Sequence, residues 1–331
     1  MPYAKSMKDL YERLRDVGFD ANFVRYRVLP DWWADDLAAK PANRAMAEAA
    51  ISRMLGFPIT RLRDPSAKLE LPPVNDVRLK RTKGVKAPEV RPALLLAAQV
   101  AKGVLSAIRP PPRFGGPMPA EEVRQRILGQ HHAVDLGSLL EFAWQHGIVV
   151  LHLAELPSAS KKFSGMALFC GQVPVVILAF RSDSPPWLAF HLGHELGHVL
   201  LGHVAPGKPP LADSNIDQLD QDAEEKAADR FACLALTGLP EIQLPPIYGL
   251  TAAKLVAASR EFGTKRNIDP GTLALIYGRS AERMPVAQNA LKLMGLDRGA
   301  HAKIGAALLD RLDRDDLPEA TERLLSLLSA F

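Results

Sequence analysis

Ala189-Phe190-His191-Leu192-Gly193-His194-Glu195-Leu196-Gly197-His198-Val199-Leu200-Leu201-Gly202-His203 carries the pattern H-E-x-x-H at His194, Glu195 and His198. On a helix, residues four apart lie about 40° apart around the axis and one turn along it. His194 and His198 therefore face the same way and can grip one metal ion through imidazole nitrogens, which suit zinc. Glu195 lies beside them, placed to take a proton from a water at the metal. A solvated surface helix would show polar flanks. Here Leu188, Phe190, Val199, Leu200 and Leu201 surround the motif, which predicts burial. Buried His and Glu need partners, and a metal supplies them.

A catalytic zinc takes three protein ligands and leaves a fourth position open. The third candidate lies in Glu224-Glu225-Lys226-Ala227-Ala228-Asp229-Arg230-Phe231-Ala232. Glu225 and Asp229 are again one helical turn apart. Glu225 would complete a His2Glu site, and Asp229 would hydrogen-bond the far nitrogen of a ligating histidine and fix its tautomer. Glu224 competes for the ligand role, but its own i+4 residue is Ala228, which can orient nothing. Against H-E-x-x-H-x-x-G-x-x-H, Leu201 replaces the glycine and Val204 the third histidine, so that ligand set is the weaker one, and His203 and His191 read as structural or cleft-lining histidines. His203 follows Gly202, where the helix is expected to end. His191 shares a face with His194 and His198 and is a candidate substrate contact. His203, Arg230 and Tyr248 are candidate oxyanion donors.

These residues resemble the ImmA/IrrE family of metallopeptidases. Phe190 through His203 is similar to its F-T-x-A-H-E-x-G-H and following apolar run. Glu225 through Ala232 is similar to its E-x-x-A-N-x-F-A, with Asp229 in the asparagine place. His191 and Gly193 depart from the pattern without removing a ligand. The resemblance spans roughly residues 128 to 277. It implies a zinc-dependent endopeptidase that cuts a protein partner, often a helix-turn-helix repressor, and so switches on genes under stress.

The chain has 331 residues, 47% hydrophobic and 24% charged, an ordinary balance for a globular protein with a large core. No run of 18 apolar residues is evident, so no membrane contact is expected. Met1 to Arg15 is charged throughout and lacks the apolar core of a signal peptide. Cys170 and Cys233 cannot build a disulfide framework and read as buried thiols, so the default location is cytoplasmic. A net charge of +4 permits nucleic-acid contact without arguing for it.

The expected class is α+β and mostly helical, a small sheet packed on the zincin-type helix between helical regions at both ends. Residues 1–63 read as short helices, with Ser6 capping the first and Asn43 capping Arg44 to Leu55. Ala47 to Leu62 is weakly similar to the later helices of XRE-type helix-turn-helix domains. Asp31, Asp35 and Asp36 would repel phosphate there, which favours a scaffold role over DNA reading.

Residues 64–92 read as a proline-punctuated linker, with a basic cluster of Arg78, Lys80, Arg81, Lys83, Lys86 and Arg91. Residues 93–250 would form the peptidase domain. In it an apolar helix, Ala93 to Ile108, precedes strands at Ile148 to Leu153, Gly165 to Cys170 and Val173 to Phe180. One strand is expected to offer a free edge to an extended peptide. Ala205 to Gln221 reads as a mobile loop beside the cleft. Residues 251–331 return to Ala- and Leu-rich helices.

The bond-breaking scheme places Zn2+ on His194, His198 and Glu225, with Glu195 as general base; Mn2+ or Fe2+ would also suit the donors. The alternative is a metal-binding transcriptional regulator, or a partner-binding protein, with latent or no peptidase activity.

Overall fold

A computed structural model describes residues 7–72, 77–79, 87–158, 163–206, 218–240, 247–313 and 317–329. Its first helix, α1 (Met7–Asp16), buries Met7, Leu10, Tyr11 and Leu14, the i, i+3, i+4, i+7 face of an amphipathic helix. The single turn α2 (Ala21–Phe23) widens into a π-helical turn at Val24–Val28, and a 3-10 turn covers Asp35–Ala39. Next comes α3 (Pro41–Leu55), which ends at Gly56 with φ 74°. It starts before Asn43, the residue expected to cap it. Pro41 occupies the first position, where a missing N–H costs nothing, and Asn43 instead donates to the Leu37 carbonyl at 3.2 Å. A short α4 (Ile59–Arg63) follows.

The stretch expected to be a linker is partly built. It contains strand β1 (Val77–Leu79) and the start of α5 (Ala87–Ala107), six residues earlier than the sequence suggests. Pro92 sits inside α5, against Gly18, where an added Cβ would stand 2.4 Å from the proline Cγ. In length and composition Val90–Ala107 could cross a membrane, contrary to the sequence expectation. Its apolarity has a local use, because 72% of that window is buried inside the protein.

After α6 (Ala120–Leu128) and α7 (Leu136–Gln145) come β2 (Val149–His152), β3 (Gly165–Cys170) and β4 (Val173–Leu178). The sheet order is β1-β3-β4-β2, with β2 parallel to β4 and the other pairs antiparallel. β2, β3 and β4 are almost continuous apolar runs because both of their faces are covered. Val149, Leu151, Met166, Leu168, Val175 and Ile177 join a core shared with α1, α3 and α5. Val150, Ala167, Phe169, Val176 and Leu178 join a second core with Leu188, Leu192 and Leu196. Those three leucines belong to α8 (Pro185–Leu200), which carries the H-E-x-x-H motif.

Then follow α9 (Gln218–Thr237), α10 (Ala252–Arg266), α11 (Pro270–Ser280), α12 (Met284–Met294), α13 (Ala300–Leu309) and α14 (Glu319–Leu325). Helices α10 to α12 enclose a small core of their own around Leu255, Ala274, Tyr277 and Leu291. The chain then returns: Leu324 and Leu325 enter the first core, and Leu328 bridges to Leu153 beside β2. The architecture is α+β and mostly helical, with the small sheet laid on the motif helix.

Cys170 and Cys233 are not joined in a disulfide and are only half-buried, less enclosed than the sequence suggests. Ser6, most of the basic cluster (Lys80, Arg81, Lys83, Lys86) and most of the 205–221 loop lie outside the described residues.

Candidate metal centre

Two helices and one tight turn build the centre. His194, Glu195 and His198 are all buried on α8, with His194 at 0% exposure and Glu195 and His198 at 1%. Helix α9 crosses α8 at very short range because small residues meet there. A Cβ added at Gly193 would stand 3.3 Å from the Ala232 Cα, and one at Gly197 would stand 3.1 Å from the Ala228 Cα. This approach carries the Glu225 carboxylate to both histidines. Its oxygens lie 3.3 Å from His194 Nε2 and 3.3 Å from His198 Nε2, and the two Nε2 atoms are 3.2 Å apart.

Those separations test whether the site suits a metal. Ligands at the usual Zn–N and Zn–O lengths of about 2.0–2.1 Å in a tetrahedron stand about 3.3 Å from each other. The 3.2 Å between the two Nε2 atoms and the 3.3 Å from each to one Glu225 oxygen fall in that range, with a different oxygen nearest each ring. The hydrogen-bond network points the same way. His194 Nδ1 is 2.8 Å from Asp229 Oδ1, so it carries the proton and leaves Nε2 as a lone pair. His198 Nδ1 is 3.0 Å from His203 Nδ1. If His198 Nδ1 donates there, its Nε2 is also a lone pair. Two lone pairs and a carboxylate then converge, an arrangement that a cation relieves. Among the described residues, His194, His198 and Glu225 form the one group of three that could hold a metal.

The other sequence candidates take different places. Of the paired acids at 224 and 225, the carboxylate that meets both histidines belongs to Glu225. Asp229 stands behind His194, one helical turn beyond the ligand. His203 meets His198 at Nδ1, the ring nitrogen away from Glu225. Gly202, at φ 75°, turns the chain as α8 ends, and the His203 N–H donates to the His198 carbonyl at 2.9 Å. That turn folds one ring onto the other. His191 is packed among the rings of Phe180, Trp187 and Phe190. Arg230 is exposed, and Tyr248 is 93% exposed with its carbonyl accepting from Lys254.

Sequence reasoning missed Gly165, the first residue of β3. A Cβ added there would stand 2.5 Å from Glu195 Oε1, so only glycine leaves room for that carboxylate. The available signal was a glycine opening an apolar strand, which marks close approach by another group.

Fold and site together define a helical His–His–Glu centre of the zincin kind. Residues 143–246, from the end of α7 through α9, match the family model of a peptidase family described as the IrrE N-terminal-like domain. The match agrees with the resemblance drawn from the two motifs and covers a narrower stretch than they suggested. No curated protein and no solved structure matches the chain.

Proposed function

We propose that this protein is a zinc-dependent endopeptidase acting on extended segments of a protein partner. One observation carries the reading. His194 Nε2 and His198 Nε2 stand 3.2 Å apart, each 3.3 Å from one oxygen of the Glu225 carboxylate, at a site that also holds a buried glutamate, the residue next to ligand candidate His194. A purely structural His2Glu site has no use for that glutamate.

His194, His198 and Glu225 would hold the ion. When bound, zinc acts as a Lewis acid that acidifies a water and polarises the substrate carbonyl. Glu195 takes a proton from the attacking water as its oxygen bonds to the peptide carbon. The C–N bond then breaks, and Glu195 delivers the proton to the leaving nitrogen. Asp229 and His203 hold the two imidazoles in the metal-binding tautomer. Gly165 leaves space for the Glu195 carboxylate to reach its working position.

For the partner we favour a protein of the helix-turn-helix repressor class, the substrate that the ImmA/IrrE resemblance implies. Stress response and transcription control follow from the same source. We place the protein in the cytoplasm, a reading that the lack of a disulfide between Cys170 and Cys233 supports. DNA binding by the N-terminal region is less well supported. Several of its basic groups are engaged: Arg25 pairs with Asp35, Arg27 with Glu155 at 2.8 Å and Arg63 with Glu48 at 3.5 Å. Residues 7–63 read better as scaffold.

The test is elemental analysis of the protein and of His194→Ala, followed by hydrolysis of unfolded casein with Glu195→Gln as control. About one zinc per chain, lost in His194→Ala, with cleavage lost in Glu195→Gln, supports the reading. Bound zinc without any cleavage by the protein would leave the regulator alternative in its place.

A further inference from the structure

The sequence leads one to expect a free sheet edge beside the metal. The structure has that edge filled by the protein's own chain. Without β1, the outer strand of the sheet would be β3, since β4 and β2 lie on its other side. β3 is also the strand nearest the chemistry, because its first residue, Gly165, lies against the Glu195 carboxylate. A peptide that added itself to this edge would run directly to the general base.

β1 pairs antiparallel with β3 in the register Val77 to Leu168, Arg78 to Ala167 and Leu79 to Met166. Its last residue therefore arrives one pair short of Gly165. We infer that β1 is a built-in competitor, a strand that occupies the substrate edge of β3 in the resting protein and must leave before a peptide can bind. The inference rests on the peptidase reading and adds its regulation.

Three features fit a removable occupant rather than a fixed part of the sheet. β1 is three residues long, against a usual strand of about five or six. It is the edge strand, paired on one side only. It also lies outside the segment that matches the peptidase family, 143–246, so the matched domain supplies β2, β3 and β4 but not β1. A segment tethered in the same chain acts at an effective concentration on the order of mM, enough to hold off a dilute substrate despite a weak strand.

The experiment uses the full chain with zinc supplied and Glu195→Gln in the background, so that hydrolysis plays no part. The probe is a fluorescein-labelled synthetic peptide with the sequence of residues 72–86, followed by anisotropy. The Arg78→Pro variant also carries Leu79→Pro: successive strand N–H groups face opposite sides, so the pair removes whichever one bonds to β3 and breaks β1 pairing. The expected result is at least tenfold tighter probe binding by Arg78→Pro than by its parent, with hydrogen exchange at β3 amides faster in the variant and slowed again by the probe.

Equal binding by both proteins, or binding by neither, overturns the inference. If Arg78→Pro does not fold, Arg78→Gly keeps the N–H and gives the same comparison with a smaller ratio, judged in the same way. In proteins with Glu195 intact, Arg78→Pro should cleave casein at least fivefold faster. Tighter probe binding with no cleavage by either protein would uphold the occupied edge and sink the peptidase reading alone.

Discussion

Gly197 of α8 and Ala228 of α9 touch so closely that a Cβ on the glycine would lie 3.1 Å from the alanine Cα. Gly197 adjoins ligand candidate His198 and Ala228 lies one helical turn beyond Glu225, so the contact sets how far the glutamate must reach. Gly197→Val should push α9 outward and separate Glu225 from His194 and His198. Overpacking of this kind costs about 1–3 kcal/mol. Zinc affinity, read by competition with a chromophoric chelator, should fall by roughly 10- to 100-fold, the range seen when groups supporting metal ligands are removed. Unchanged affinity would show that the helix spacing does not limit the site.

Asp229 and His203 each support one ligand from behind. Asp229→Ala and His203→Ala should each weaken zinc by roughly 10- to 100-fold while leaving the fold intact. The same chelator competition measures both. A large loss for Asp229 and none for His203 would mean that the His198 to His203 contact does not set the tautomer.

Glu195 and Gly165 form a pair with a different signature. Glu195→Gln should keep full zinc content and lose roughly 10²- to 10⁴-fold in turnover. Gly165→Ala should behave similarly, because its Cβ would stand 2.5 Å from Glu195 Oε1 and would displace that carboxylate without touching a ligand. Zinc content measured beside casein hydrolysis separates the two readouts. Loss of zinc in Gly165→Ala would place the glycine among the groups that hold the metal site itself.

His152 predicts how stability depends on pH. Burial pushes its imidazole down to about 4; the Phe180 carbonyl raises it, and His301, stacked at 3.9 Å, lowers it further. The unfolded residue titrates near 6.5. Between those values the unfolded chain binds a proton that the folded chain refuses. Stability should therefore fall as pH drops from about 6.5 to 4, by up to about 3 kcal/mol. Urea unfolding at pH 7 and pH 4.5 measures the loss, and His152→Gln should reduce it. An equal loss in the variant would assign the effect to other groups.

Much of the centre was legible because its chemistry is periodic. His194 and His198 share a face by their spacing, and Glu225 with Asp229 repeats that spacing on the second helix. The apolar runs of β3 and β4 were equally plain. Two kinds of feature were not. One depends on contact between distant segments: Gly165 against Glu195, or Gly197 against Ala228, leaves no local pattern. The other runs against composition. β1 lies in a basic, proline-bounded stretch that reads as linker, and its three residues are too few to show alternation. Pro41 moved the start of α3 away from Asn43 for a local reason that sequence does offer, namely the preference of proline for the first helical position.

The return of α14 to α5 sets the order in which the protein can be completed. Gly103 lies so near Leu324 that a Cβ there would come within 2.6 Å of its Cδ1, and Leu328 bridges to Leu153 beside β2. During synthesis, both motif helices leave the ribosome well before residues 319–328 exist. Until those residues arrive, the core beneath the sheet has an open side. The metal-ligand candidates are therefore translated early, but the core around them closes only after α14 has been made.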